Sequence, residues 1–247
     1  MQTARADIFK TLQADVLRLQ GIKAINNDEL DNSLGPIASA FPNRSFPLGV
    51  IHELISHRQE EVAATNGFVT GLLSTIMGTN GTSLWISASR SIFPIALKNF
   101  YVDPDRFIFL DLKNEKDVVW AIDEALKCGA ISAVVGELSE IDFKTSRRLQ
   151  LNVERSGVTG FIVRNNSRKI GTTASVSRWK ISSLPSEKDD QMPGIGFPKW
   201  RVELLRIRNG RPGTWDVKWF DGKFLPARIS SNDITLGLHH LHKKKAG

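Results

Sequence analysis

Short apolar runs alternate with stretches of helical periodicity through most of the chain, and this alternation limits the fold more than any other feature. The stretches that carry apolar residues at helical spacing include residues 92–100, 117–127 and 142–156. The apolar runs, which we interpret as β-strands, are residues 50–55, 83–87, 106–110, 131–135 and 158–163. Apolar strands separated by helices are typical of βαβ units, in which helices cover both faces of a parallel sheet. We therefore predict an α/β fold built on a mostly parallel sheet flanked by helices.

The pattern changes after Arg164. Residues 164–173 lack apolar periodicity and predict a loop, whereas residues 174–184 predict one further strand. Two later runs, residues 200–208 and 214–220, flank the turn-forming sequence Asn-Gly-Arg-Pro-Gly and predict a hairpin. Because these strands follow a parallel block, we expect them as antiparallel strands at the edge of the same sheet.

The chain divides into three parts by composition. Residues 1–40 are interpreted as an N-terminal helix and linker, since residues 8–19 have helical spacing and residues 26–46 are rich in Asn, Ser, Gly and Pro. Residues 41–220 form the expected α/β domain. Residues 221–247 are polar, end in His and Lys, and are interpreted as a basic, flexible tail.

The charge and the cysteine content indicate which cellular environment and which class of partner to expect. The 33 Lys and Arg residues exceed the 26 Asp and Glu residues, and the net charge of +7 favours a polyanionic partner, nucleic acid before membrane. The single cysteine, Cys128, excludes a disulfide framework within one chain and fits a reducing cytosol. No stretch approaches the roughly 20 apolar residues that a membrane span needs. We therefore expect a cytoplasmic protein without a membrane partner.

The segment after the first strand occupies the position of the phosphate-binding loop in nucleotide-binding α/β proteins. Such a loop needs glycines, whose backbone N–H groups surround the phosphates, and a Lys. The six residues at this position include neither: they are Ser56, His57, Arg58, Gln59, Glu60 and Glu61. Glu60 and Glu61 put negative charge at the N-terminus of the helix, where the helix dipole would otherwise favour a phosphate. We interpret the segment as a degenerate phosphate loop.

Two more parts of an ATPase site are missing from the positions where this fold would place them. A magnesium site requires an acid at the end of an apolar strand, but the run that ends at Val135 is followed by Gly136. Glu137 comes one place late, and we expect its side chain on the other face of the sheet. Residues 87–90 offer no carboxylate to position an attacking water. We therefore predict no catalytic residue, no nucleotide cofactor and no metal site.

A series of short segments, in order along the chain, resembles the ImuA family. They are FPLGVIHEL (46–54), LWIS (84–87), DPDR (103–106), VWAIDEAL (119–126), AVVGEL (133–138), SRRLQL (146–151), SGVTG (156–160), SRW (177–179), WRVELLR (200–206) and NGRPG (209–213). The resemblance implies a fold similar to the RecA recombinase core. It also implies a non-catalytic accessory role in error-prone synthesis past DNA damage, within the SOS response. The implied partners are RecA, an ImuB-type relative of Y-family polymerases and, indirectly, an error-prone C-family polymerase.

The resemblance also implies a place for DNA. In RecA-like proteins a loop after the strand that corresponds to residues 158–163 contacts single-stranded DNA. The candidate DNA-binding residues here are therefore Arg164, Arg168 and Lys169, since basic side chains on a loop suit a phosphate backbone. The loop has no aromatic residue for base stacking, so a solvated surface loop is the open alternative. Whether the chain forms homo-oligomers also stays open.

Two rival functions remain at this point. A divergent DNA-dependent ATPase of the RecA type would bind nucleotide through unusual ligands, and stabilisation by nucleotide would favour it. A cell-division inhibitor of the SulA type shares the RecA-like ancestry, and binding to the tubulin-like division protein would favour that function.

Overall fold

A single sheet runs through the described part of the chain. In a computed structural model of the protein, the described residues are 28–165, 167, 170–186 and 196–227. The strands within them are β1 (Ile51–Ser56), β2 (Ser83–Ser87), β3 (Phe107–Asp111), β4 (Ala133–Leu138), β5 (Thr159–Asn165), β6 (Ser177–Leu184), β7 (Lys199–Ile207), β8 (Gly213–Phe220) and β9 (Lys223–Pro226). They lie side by side in the order β3-β2-β4-β5-β1-β6-β7-β8-β9.

The sheet is mixed, as the sequence predicts. The six strands from β3 to β6 pair in parallel, and β7, β8 and β9 continue the sheet by antiparallel pairing. Two strands are longer than the sequence predicts. In each of them a polar residue near the end forms buried hydrogen bonds with other parts of the chain. β4 continues past Val135 to include Glu137, and β5 includes Arg164.

Four α-helices connect or flank these strands in the described residues. They are α1 (Asp28–Ser33), α2 (Gln59–Ile76), α3 (Glu115–Ala125) and α4 (Phe143–Ser156). Side chains cap the N-termini of two of these helices. Asn114 Oδ1 accepts a hydrogen bond from the N–H of Asp117 at the start of α3, and Asp142 Oδ1 accepts one from the N–H of Thr145 at the start of α4. Gly157 ends α4 with a φ of 80°, a conformation that favours glycine.

The sheet separates two hydrophobic cores. The larger core lies between the sheet and α2 and contains Phe68, Trp85 and Trp179. The smaller core lies under α3 and α4 and contains Ile122 and Leu149. Both faces of the central parallel strands are therefore covered, which explains why those strands are apolar throughout.

The segment expected to be a linker is part of this core, which corrects the prediction. Besides α1, residues 28–46 form two short 3₁₀ helices, Gly35–Ala40 and Pro42–Arg44. Leu30, Leu34 and Ile37 are fully buried against the α2 side. Polar and turn-forming residues dominate the composition of this stretch, but its few apolar residues recur at helical spacing, and their burial decides its structure.

The ends of the chain are only partly described. Residues 8–19, predicted as a helix, and residues 228–247 lie outside the described residues, and the proposed domain boundaries stay a prediction. Strand β9 falls inside the segment interpreted as a tail, where its Phe224 is fully buried. Among the helices that the structure describes, none has the length and apolar character that crossing a membrane would require.

Candidate functional site

The connection from β1 to α2 lies at the carboxyl end of the parallel strands, where open α/β sheets bind ligands. β1 ends at Ser56, and α2 begins at Gln59, with Glu60 and Glu61 in its first turn. Residues 56–61, which we interpreted as a degenerate phosphate loop, therefore span the end of β1, the connection and the first turn of α2. Arg58 precedes the helix and provides no side-chain cap.

Glu61 turns back into this connection. Its Oε2 accepts a hydrogen bond from the backbone N–H of His57 at 2.7 Å, and its side chain is only 4% exposed. Lys180 Nζ and Arg58 Nη2 lie 3.8 and 3.5 Å from its Oε1. Burial alone would raise the pKa of Glu61, but the bond from His57 and the two cations hold it below its ordinary value. An ionised carboxylate of the chain itself thus meets the N–H group that a bound phosphate would use.

Glu137 departs from the sequence prediction in one important respect. As expected, it lies on the opposite face from Gly136, where a Cβ would meet Ile122 Cδ1 at 2.1 Å. That opposite face, however, is the one covered by α2, since Glu137 contacts Trp85 of the larger core. An acid is therefore present on the α2 side of β4, and its absence from the site was a wrong inference. The prediction failed because β4 is longer than expected, so that side chains continue to alternate between the two faces of the sheet beyond Val135.

The carboxylate of Glu137 is buried and fully engaged by neutral donors. Its Oε1 accepts from Trp85 Nε1 at 2.5 Å and from Ser91 Oγ at 2.7 Å, and its Oε2 accepts from Asn165 Nδ2 at 3.1 Å. Burial raises the pKa of Glu137 above its ordinary value because these neutral donors compensate only part of the lost hydration. Glu137 links the ends of β2, β4 and β5 at one point.

A second buried carboxylate, Glu53 of β1, pairs with Arg164. Arg164 Nη1 lies 2.8 Å from Glu53 Oε1, and Arg178 Nε lies 2.9 Å from the other oxygen, Oε2. Burial alone would raise the pKa of Glu53, but hydrogen bonds from Arg164, Thr173 and Arg178 hold it below its ordinary value. Two cations thus share one buried carboxylate.

This pairing corrects the role expected of Arg164. The residue belongs to β5 rather than to a loop, and it is 1% exposed. Its guanidinium is oriented by Glu53 and by Ser167 Oγ, so it does not face a nucleic acid in this conformation. Arg168 and Lys169 lie outside the described residues, and their contact with DNA stays a prediction.

The network around Glu53 also anchors the chain between β5 and β6. Thr173 Oγ1 donates to Glu53 Oε2 at 2.7 Å, and Arg178 Nη2 donates to the carbonyl of Gly171 at 2.7 Å. Arg206 adds bonds to the carbonyls of Thr173 and Ser175. Both flanks of the candidate DNA loop are therefore held by arginines.

Comparison with known proteins gives the family. No family model matches the chain. Protein ImuA from two strains of Caulobacter vibrioides is 31% identical over 191 residues, which cover 72% of this chain and 78% of that protein. This chain belongs to the ImuA family.

Structural comparison identifies the fold. The crystal structure of the RadB recombinase matches 74% of this chain and 93% of its own, with a TM-score of 0.51 and 13% sequence identity. At that identity the likeness concerns the fold alone. The mostly parallel sheet with flanking helices and antiparallel edge strands is therefore RecA-like, as predicted.

Several ImuA-like segments meet in the larger core. Phe46 stacks on His52 with ring centroids 4.5 Å apart, and Trp179 stacks on Phe46 at 6.4 Å. His52 bonds to Ser177 through Nδ1 at 2.6 Å and to the carbonyl of Pro47 through Nε2 at 2.8 Å. These contacts connect the segment that precedes β1 with strands β1 and β6. The ImuA-like segments that make them therefore serve the packing of the core and not a chemical reaction.

The Glu53 network was missed by sequence reasoning. Glu53 lies in an otherwise apolar strand, and a buried charge of this kind requires a charged partner. That was the available signal, but the partners follow 111 and 125 residues later in the chain. Only the placement of β1 between β5 and β6 brings them together.

Proposed function

We propose that this protein is a non-catalytic, RecA-like accessory protein of an error-prone translesion DNA synthesis system. It acts in the cytoplasm as part of the SOS response to DNA damage. Its membership of the ImuA family carries this proposal, since fold alone would not justify a function.

The contact between Glu61 and His57 supports binding rather than nucleotide hydrolysis. Glu61 presents a fixed negative charge to the position where phosphate oxygens would have to bind, and Glu60 adds a second carboxylate in the same helical turn. Phosphate binding at a helix N-terminus depends on unoccupied N–H groups and on positive potential. In this proposal the fold serves as a scaffold for partner contacts.

The partners in this proposal are RecA and an ImuB-type protein, with an error-prone C-family polymerase recruited indirectly. Exposed apolar side chains on the helices support protein contacts: on α3, Trp120 is 65% exposed, and on α4, Phe143 and Leu151 are also exposed. Single-stranded DNA is a further proposed ligand, contacted through Arg168 and Lys169.

The experiment combines turnover and binding on the purified full-length chain. We expect no ATP hydrolysis above background with single-stranded DNA present, and saturable binding of purified RecA or ImuB in biolayer interferometry. Trp120→Ala should weaken one of these interactions, whereas Tyr101→Ala, an equally exposed aromatic on another surface, should not. DNA-stimulated turnover that is abolished by Arg58→Ala would contradict the proposal.

One observation favours a divergent ATPase as the second candidate. Glu137 places a carboxylate on the α2 face of the sheet, and its Oε1 lies 2.7 Å from Ser91 Oγ. This candidate function would use that carboxylate as the acid that holds the magnesium ion of an ATPase site. A rise in thermal stability with ATP and Mg²⁺, abolished by Glu137→Gln, would support this candidate. An unchanged melting temperature over millimolar ATP would support the non-catalytic role.

A further inference from the structure

One face of the sheet loses its helical layer at the antiparallel end. Over the central parallel strands, α3 and α4 cover the face opposite α2. The smaller core under these two helices contains no described residue of β6, β7 or β8, whereas the core on the α2 side contains Trp179, Val202 and Trp219 from these strands. Because side chains alternate along a strand, the sequence neighbours of these core residues point to the face that α3 and α4 leave uncovered.

The uncovered face is rich in positive charge. The acids at outward positions of β7 and β8 are Glu203 and Asp216. More numerous are the cations, all exposed or half-buried, that point outward from β6, β7 and β8 or directly follow β7: Arg178, Lys180, Arg201, Arg206, Arg208 and Lys218. We call this surface the basic face. Its excess of cations favours a polyanionic partner.

The acids of the basic face balance only some of these cations. Arg201 forms a two-bond pair with Asp216, since its Nε and Nη2 lie 2.8 and 2.9 Å from the two carboxylate oxygens. Lys180 Nζ lies 3.7 Å from Glu203 Oε2. In the part of the chain that the structure describes, no carboxylate lies within ion-pair distance of Lys218. Its charge is therefore free to attract a ligand.

Arg206 and Arg208 form a second group of cations without an acid of their own. Arg206 donates only to carbonyl and hydroxyl oxygens of the segment 173–175, which leave its charge in place. Its Nε has no hydrogen-bond partner among the described residues. Burial lowers the pKa of Arg206, and the nearby charges of Arg178 and Arg208 lower it against the effect of Glu53. The potential at this end of the basic face is therefore positive.

Aromatic rings border the basic face at its Lys218 end. Phe220, on the same side of β8 as Lys218, is 41% exposed, and Lys218 Nζ lies 5.9 Å from the centre of its ring. Phe197 is also half-exposed and packs edge-to-face on Phe220 with centroids 4.8 Å apart. Proteins that bind single-stranded nucleic acid combine cations for the phosphates with exposed aromatic rings on which unpaired bases stack.

The two groups of cations lie at opposite ends of the basic face. The strand register places Arg206 opposite Arg178, and it places Lys218 opposite Lys199, which in turn is opposite Leu184. Along β6, Arg178 and Leu184 are separated by about 20 Å, at about 3.3 Å per residue. A small anion would occupy one end of this distance. A polymer with regularly spaced phosphates can contact both ends at once.

We propose that the basic face is a binding track for single-stranded nucleic acid, with Arg206, Arg208 and Lys218 at phosphates and Phe220 against a base. Phosphates and unpaired bases are the chemical groups that these side chains complement, and a single strand presents both. In a duplex the bases are paired and stacked on each other. The inference rests on the proposed binding of single-stranded DNA, to which it adds a surface outside the loop of residues 164–173.

Charge-neutralising variants of the full-length chain test the phosphate contacts. Arg208→Gln combined with Lys218→Gln should weaken binding of a fluorescein-labelled oligothymidine about tenfold and reduce the slope of log affinity against log salt by about 1.4, since each phosphate contact on a single strand contributes about 0.7. Lys113→Gln combined with Lys116→Gln removes the same charge at two exposed residues near α3 and should change the slope less. Unaltered thermal melting curves verify folding. An unchanged slope in the first variant would overturn the phosphate contacts.

Phe220 provides the test of the base contact. Phe220→Ala should weaken oligothymidine binding about five- to tenfold without changing the salt slope, because a stacked base is lost and no charge is removed. Phe220→Trp keeps an aromatic ring and should bind normally. An abasic oligonucleotide, which has the phosphates without the bases, should bind the unaltered protein and Phe220→Ala equally. Full oligothymidine affinity in Phe220→Ala, or weaker abasic binding, would overturn the base contact.

Unlabelled competitors test the kind of occupant. A duplex of the same length and a poly-glutamate of the same charge should each compete with the labelled oligothymidine about tenfold more weakly than the single strand does. Equal competition by the duplex would overturn the preference for a single strand, and equal competition by poly-glutamate would indicate an acidic protein segment instead. Oligouridine separates the two sources of the same chemistry: weaker competition than by oligothymidine assigns DNA, and equal competition assigns single strands of either kind.

The failure of this inference is distinguishable from the failure of the proposed function. If the variants of the basic face bind DNA normally while Arg168→Glu combined with Lys169→Glu does not, the basic face is overturned and the loop keeps its DNA role. If the variants of the basic face lose affinity for DNA while RecA and ImuB do not bind the unaltered protein, only the assignment of those partners is overturned. An absence of binding to any single strand would overturn both DNA roles.

Discussion

The carboxylate of Glu61 accepts a hydrogen bond from the backbone N–H of His57 at 2.7 Å. The chain thus carries its own anion at the start of α2, where a nucleotide-binding relative of this fold would bind phosphate. Lys180 of β6 lies 3.8 Å from the same carboxylate. The β1–α2 connection is therefore tied to the neighbouring strand β6 by charge.

The first prediction concerns the stability of this connection. Glu61→Ala should lower the free energy of unfolding by about 1–3 kcal/mol at pH 7, because the backbone N–H of His57 loses its hydrogen bond to a charged acceptor. Glu60→Ala, in the same turn but with a largely exposed side chain, should change it by less than about 0.5 kcal/mol. Urea denaturation of both variants measures this difference. Equal effects would show that the Glu61 bond contributes nothing specific.

The second prediction concerns the buried pairing of Glu53. Glu53→Gln should destabilise the protein by about 3–5 kcal/mol, since Arg164 would keep a buried charge without a carboxylate. Glu203→Gln, which removes a half-exposed carboxylate near Lys180, should cost less than about 1 kcal/mol. Comparable losses in the two variants would argue against a special role for the network.

The pH dependence of Glu53 has a definite sign. The pKa of Glu53 is lower in the folded state than in the unfolded chain, so the unfolded state binds more protons as the pH falls. The contribution is present above the unfolded pKa and is lost as the pH falls below it. The stability difference between the unaltered protein and Glu53→Gln should therefore be constant well above the ordinary glutamate value of 4.5 and shrink as the pH falls from that value through the folded pKa.

The third prediction is of opposite sign and concerns Glu137. Its folded pKa is raised by burial, so the folded state holds the proton longer and stability falls as the pH rises through that pKa. Glu137→Gln can keep an acceptor for Trp85 without the cost of a buried charge. We expect this variant to be at least as stable as the unaltered protein at pH 7, and to lose this advantage near pH 4. A clear loss of stability at pH 7 would contradict the assignment.

The fourth prediction concerns single-stranded DNA. Arg168→Glu combined with Lys169→Glu should weaken binding and reduce the slope of log affinity against log salt, because fewer phosphates are neutralised. Lys113→Glu combined with Lys116→Glu makes the same change in net charge at two exposed residues near the start of α3 and should have a smaller effect. Fluorescence anisotropy with a labelled oligonucleotide at several salt concentrations measures both. Identical losses would indicate a general effect of charge and would remove the loop from the DNA role.

Local features of the sequence were sufficient for much of the fold. The alternation of apolar runs and helical stretches predicted the parallel block, and strand β2 and the hairpin formed by β7 and β8 lie close to their expected bounds. The absence of glycine and lysine from residues 56–61, after β1, could be read directly from the sequence. The linker was misjudged because composition was given more weight than the spacing of Leu30, Leu34 and Ile37.

The sequence by itself determined the fold class and the composition of the β1–α2 connection, because periodicity and the residue types at a strand–helix junction are local properties. The tertiary structure decided which charges are buried together. Glu53 meets Arg164 across 111 residues, and Glu137 faces α2, because strand order and strand length place them there. The same holds for the basic face, whose cations come from three different strands. Contacts of this kind depend on which elements become neighbours, and residue spacing along the chain does not specify that.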